Sequence, residues 1–241
     1  MYIEDFIAQF SLEQIIHIEH TQDHQYLSLS KARDKISSRY WNTDENKIKF
    51  LDGVIYNSLV SYQIWWDGFL WRAEFADKIS SDRQDADIYN TDWWYKFLSD
   101  SRYNKRLINM KIKRLWKIFD KIIWVDVSDY RIFYDDMKIF NNHIATIVGN
   151  KDSMKTIVFA TKMYGYGCRI VFDYTVPYSM DIQIPVDSRI IKIFKYNYHG
   201  DNDATDKSIR SYYRDLSLKY NIPPLHLDSL LRIKYWDLIK I

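Results

Sequence analysis

The sequence predicts an all-α fold, and three features carry that reading. Apolar residues recur every three to four positions through most of the 241 residues, the spacing that lines one face of a helix. Helix-start signals are spread along the chain: Ser11 with Gln14, Thr91, Asp152 or Ser153, Asp187, Thr205, and the prolines 223 and 224. The one long extended stretch follows Cys168, where Pro177 and Pro185 bias the residues before them away from helix. A chain of this length buries a real core and asks for no more than one domain, built as two lobes.

Taken in order, residues 3 to 20 read as two short helices, with Ser11 and Gln14 in capping-box relation. His17, His20 and His24 fall three and four apart, but no carboxylate or further histidine joins them, so a solvated polar face is expected rather than a metal site. Residues 24 to 40 are polar with sparse apolar positions. Phe50, Leu51, Val54, Ile55, Leu59 and Val60 then make the stripe of a core helix. Gly68 marks a turn within WWDGFLW, before a helix carrying Trp71 and Phe75. The acid-rich SSDRQDADIYNTD is a surface loop, closed by Thr91 as a cap. Next, Lys105, Arg106, Lys111, Lys113, Arg114, Lys117 and Lys121 interleave with apolar residues. An amphipathic helix with a solvated face explains them; a phosphate-facing stripe becomes the better reading if the following segment binds DNA.

That segment runs from Val148 to Arg189. A helix over 135 to 147 ends in a Val148, Gly149, Asn150 turn, and a second helix begins near Lys155, capped by Asp152 or Ser153. Two helices joined by a glycine turn expose backbone N–H groups to an anion, and a DNA phosphate suits such a site. Lys155, Phe159 and Lys162, spaced i, i+4 and i+7, share one helix face: an amine, an aromatic platform and a second cation. An amine attacks in its neutral form, which burial and a neighbouring Lys151 or Lys162 would favour. Taken singly, Phe159 fits a core position and both lysines fit solvent. Asp187 is placed as the N-cap of a helix over 188 to 196. Helices after Thr205 and from Pro223 complete the chain.

Composition limits the partners. The net charge is only +2, so any field that attracts DNA must be local. Thirty-two phenylalanine and tyrosine side chains with 9 tryptophans serve a core first, and can also stack on an extruded base. The single Cys168 excludes a disulfide framework and a four-cysteine metal centre, and suits a reducing, intracellular setting. No basic leader and no eighteen-residue apolar run is present, so neither export nor a membrane span is expected.

KTIVFATKM followed by DIQIPVDSRI, with IVGN before and IPPLHLDSLL near the end, resembles the archaeal 8-oxoguanine DNA glycosylases (AGOG), a branch of the helix-hairpin-helix glycosylase superfamily. DHQY, LVSYQI and the Trp71 region extend the likeness over most of the chain. The resemblance implies a single two-lobed helix-hairpin-helix domain over residues 1–241, with hairpin and catalytic helix at about 135–165, the aspartate loop at about 173–190 and the active cleft between lobes. It implies a bifunctional glycosylase/lyase of base excision repair, needing no metal or cofactor, that works as a monomer on double-stranded DNA with the damaged base flipped out. Lys155 matches the Schiff-base nucleophile and Asp187 the catalytic carboxylate. Gln25, Trp71, Phe159, Lys162 and Asp228 match the base pocket, while Val148, Gly149, Asn150 and Lys151 would hold phosphate. One departure stands out: Arg232 occupies the place of a tryptophan that forms the second stacking wall, with Trp236 one turn on. Another damaged base as substrate is therefore one alternative, and a non-catalytic DNA-binding module is the other.

Overall fold

The computed structural model describes residues 2–36, 41–64, 68–81, 87–119, 121, 126–198 and 204–236. Among these the regular structure is all helical. The N-terminal pair, α1 (Ile3–Ile7) and α2 (Leu12–Gln22), divides where Ser11 and Gln14 form the expected capping box. Asp23 caps α3 (His24–Lys35), a helix that the sparse apolar pattern of 24 to 40 did not announce. Next come α4 (Asp44–Val60), α5 (Gly68–Ser81), α6 (Thr91–Asp100) and α7 (Ile108–Phe119). Gly68 is itself helical, within α5, and Asn90, not Thr91, caps α6 by accepting the Asp92 N–H. Trp65 and Trp66, residues 82–86 of the acid-rich loop, and the end of the basic stretch lie outside the described residues.

The helix expected over 135–147 is α9 (Met137–Val148), and a separate helix, α8 (Val127–Asp135), precedes it. Asp136 separates them because its carboxylate takes the N–H groups of Lys138 and Ile139, which starts a new helix. Then follow α10 (Lys155–Phe172), α11 (Ser188–Asn197), α12 (Asp206–Tyr220) and α13 (Pro224–Leu230), the last running into a π turn, Leu231–Tyr235.

Two apolar cores organise these helices. The larger joins α3 through α10, with α10 lying along α4 and α3 against α5. The smaller is built by α1 and α2 with α11, α12, α13 and the π turn, so the two ends of the chain share one lobe. Between the lobes the extended stretch crosses α10 at Gly165, where an added Cβ would lie 2.6 Å from the Tyr178 ring. Glycine is needed there so that Tyr178 can lie against the helix and donate to the Lys162 carbonyl at 2.7 Å. No described helix is long and apolar enough to cross a membrane.

Candidate active site

The turn between α9 and α10 begins at Gly149, whose φ of 72° and ψ of 43° lie in the left-handed region that glycine enters without strain. The Asn150 N–H returns to the Ala145 carbonyl at 2.9 Å and closes the end of α9. Asp152 does not cap α10. It pairs with Lys138 at 2.7 Å across the hairpin, and Met154 occupies the N-cap with no side-chain bond. Lys155 is consequently the first residue of α10, directly behind the turn.

A groove of about 1090 Å³ opens between the lobes. Gly149, Asn150, Lys151 and Lys155 form one side, and Lys207, Arg210 and Arg214 of α12 contribute to the other. Val148 is buried in the larger core, so only its backbone could serve a phosphate. Along the face predicted for α10, exposure falls stepwise: Lys155 is exposed, Phe159 half-buried and Lys162 buried. The burial expected for Lys155 is therefore not found.

Behind that face lies a chain of charged groups. Lys162 Nζ stands 2.6 Å from Asp228 Oδ2, and Arg189 Nη2 donates to Asp228 Oδ1 at 2.8 Å. The same Arg189 nitrogen is 3.2 Å from Asp187 Oδ2, while Asp187 Oδ1 accepts the Ile190 N–H at 2.9 Å as the expected N-cap of α11. Burial alone would raise the Asp228 carboxyl, but Lys162, Arg189 and Arg232 outweigh it and hold it down at about 2. Arg232 pairs with Asp23, which also receives the Tyr166 hydroxyl at 2.7 Å and the Gln25 N–H at 2.7 Å. The Gln25 side-chain oxygen is buried without a hydrogen-bond partner, an open acceptor beside this chain.

A further set fixes the frame. Glu19 accepts from Arg169 at 2.7 Å and lies 3.0 Å from His226 Nδ1. Because His226 Nε2 accepts the Tyr178 N–H at 3.2 Å, the neutral ring carries its proton on Nδ1 and donates it to Glu19. Three helices and the extended stretch are pinned at one place.

The structure therefore gathers Lys162, Asp228 and Asp187 into one connected set, puts Gln25 and Arg232 on Asp23 beside it, and sets Lys155 with the hairpin on the groove wall. It does not bring Trp71 to the groove. That side chain is fully buried, stacked on Phe97 at 4.9 Å, with its indole N–H on Ser61 Oγ at 2.8 Å. Trp236 packs against the smaller core with Lys192 over its ring at 5.8 Å. Sequence reasoning missed Arg189 and Asp23. The VDSR and DHQY strings contain them, but their partners lie 39 and 209 residues away. The basic stripe also loses two members: Lys111 is buried against Asn104, and Arg114 donates to the Leu59 carbonyl at 2.9 Å. Among the described residues no cluster of histidine, cysteine and carboxylate could hold a metal.

The two-lobed helical chain with a glycine hairpin, a lysine at the first turn of the next helix and an N-capping aspartate in the same region is the arrangement that the resemblance to DNA glycosylases implies. The family model described as AGOG, N-glycosylase/DNA lyase, matches residues 4–238, and the chain belongs to that family. Relatives named N-glycosylase/DNA lyase include one from Methanococcus maripaludis, 36% identical over 230 residues that span 92% of this chain and 87% of the relative. Another, from Thermococcus kodakarensis, is 37% identical over 89% of this chain and 75% of its own length. The fold matches that of Pa-AGOG, the 8-oxoguanine DNA glycosylase from Pyrobaculum aerophilum solved with 8-oxoguanosine, with a TM-score of 0.77, 20% identity, and coverage of 95% of this chain and 84% of that one.

Proposed function

We propose that this N-glycosylase/DNA lyase removes 8-oxoguanine from duplex DNA and then cuts the strand, working as a monomeric single domain inside the cell. The observation that carries the reading is the position of Lys155, first on α10, directly after the hairpin and on the groove wall. Docking of a strand on the Gly149 to Lys151 turn would bring a sugar to this amine. The Lys155 nitrogen attacks C1′, the bond from C1′ to the base breaks, and the base leaves with the electron pair and takes up a proton. Opening of the sugar gives a Schiff base between Lys155 and C1′. Loss of a C2′ proton then expels the 3′ phosphate by β-elimination. Asp187 stabilises positive charge on the sugar and assists the proton transfers.

The flipped base is received by Phe159 as a stacking wall, by the Lys162 and Asp228 pair, and by the open acceptor of Gln25. The complex of the Pyrobaculum enzyme with 8-oxoguanosine supports this choice of base. Arg232 favours a second reading within the same chemistry. Its guanidinium is tied to Asp23, so the second wall is a cation held by a carboxylate, not an indole.

Borohydride trapping on a duplex with one 8-oxoguanine, beside Lys155→Gln and an undamaged duplex, tests the proposal. A covalent adduct formed only with damaged DNA and lost in the variant is expected. Trapping on an abasic site but not on 8-oxoguanine would move the substrate to another lesion and make Arg232 responsible. No trapping on either would leave a DNA-binding protein without this chemistry.

A further inference from the structure

We propose that Arg189 is a positioning residue that ties the Asp187 carboxylate to the pair of Lys162 and Asp228, so that filling of the base pocket is felt at the catalytic carboxylate. The inference rests on the glycosylase reading and extends it to a residue outside the assigned site. Its basis is one atom: Arg189 Nη2 meets Asp228 Oδ1 at 2.8 Å and Asp187 Oδ2 at 3.2 Å.

Each carboxylate uses its other oxygen elsewhere. Asp187 Oδ1 is committed to the Ile190 N–H at the start of α11, and Asp228 Oδ2 to Lys162. Rotation of the Asp187 carboxylate about its remaining freedom is therefore checked by Arg189. Asp228 is held within α13, and Lys162 within α10, both buried. Arg189, on the first turn of α11, reaches α13 within the smaller lobe and closes the chain of charges that Lys162 continues into α10. A base that donates to Asp228 competes with Arg189 for the same carboxylate. Any loosening of that bond leaves the guanidinium with Asp187 alone, at the moment when positive charge develops on the sugar. A fixed guanidinium serves both carboxylates from one nitrogen, which an ammonium on a flexible stem does less well.

The test measures single-turnover excision of 8-oxoguanine at saturating enzyme for wild type, Arg189→Gln, Arg189→Lys, Asp228→Asn and the double variant Arg189→Gln with Asp228→Asn. Loss of one preorganised contact to a catalytic group predicts a fall of about 100-fold in Arg189→Gln, with duplex affinity within about threefold of wild type. Arg189→Lys, which keeps the charge, is expected to regain at least about tenfold. Because the two residues act as one connection, Arg189→Gln costs no more than about threefold in the Asp228→Asn background. Thermal midpoints of all variants accompany the rates. A rate for Arg189→Gln within about threefold of wild type overturns the role, as does an equal loss in both backgrounds. So does an Arg189→Lys protein as slow as Arg189→Gln and equally lowered in midpoint, the pattern of mere structural support. If wild type itself forms no adduct on 8-oxoguanine or an abasic site, the glycosylase reading falls and this role with it; trapping by wild type beside an indifferent Arg189→Gln sinks this role alone.

Discussion

Asp52 sits inside the larger core, 3% exposed, and receives hydroxyl bonds from Tyr130 and Tyr89, with no cation paired to it among the described residues. Burial pushes its carboxyl up from 3.8 to about 6, against the pull of the two tyrosines. The folded value thus lies above the unfolded one. Stability from this group is complete below 3.8, falls while the unfolded chain has released the proton and the folded chain still holds it, and is lost once the pH passes about 6. The fall amounts to about 3 kcal/mol at 1.36 kcal/mol per pH unit. Asp52→Asn removes it. Urea unfolding at pH 4, 5, 6 and 7 is expected to show the variant gaining on wild type by roughly that amount across the series. Parallel stability profiles would mean that the carboxyl is not held protonated.

At the scale of elements, the crossing of α10 by the extended stretch depends on one missing methyl group. Gly165→Ala would set a Cβ 2.6 Å from Tyr178 Cε1 and 3.0 Å from Met137 Sδ. Alanine gains about 1 kcal/mol of helix propensity, yet overpacking costs about 1 to 3 kcal/mol, so a net loss is expected at this wedge. A displaced Tyr178 also gives up its bond to the Lys162 carbonyl, so excision should slow together with a lower thermal midpoint. An unchanged midpoint would show that the ring moves aside freely. The same elements explain what the sequence made legible. Caps and turns are local: Ser11 with Gln14, Asp187 before α11, and Gly149 before α10 act on backbone within three or so residues. Asp152 misled because its carboxylate found Lys138 across the hairpin, a contact between two helices that a capping pattern cannot weigh. Lys111 misled in another way, since the stripe shows charge but not that Asn104 closes over the ammonium. Arg189 and Asp23 stayed hidden for the reason that their partners come from α13 and the π turn, placed by the packing of both lobes.

For the whole molecule, a net charge of +2 leaves DNA attraction to local fields, and two surfaces compete. One is the exposed face of α7 with Lys113 and Lys117; the other is the groove. The groove gathers Lys151, Lys155, Lys207, Arg210 and Arg214 against Asp181 and Asp206. Arg210 is engaged with the Ile184 carbonyl at 3.0 Å and Gln183 at 3.2 Å, which leaves Lys207 and Arg214 as the exposed cations that α12 contributes to the groove. A duplex that delivers a sugar to Lys155 must run along this groove, so phosphates should meet those two side chains while α7 stays in solvent. Each phosphate contact adds about 0.9 to the slope of log affinity against log salt. Lys207→Gln with Arg214→Gln is therefore expected to lower the slope by about 2, and Lys113→Gln with Lys117→Gln by less than about 0.5. Measured on an undamaged duplex between about 50 and 200 mM salt, these slopes depend on no catalytic step. The reverse ranking would turn the bound strand onto α7, and the hairpin would then have to present its N–H groups to a phosphate from outside the groove.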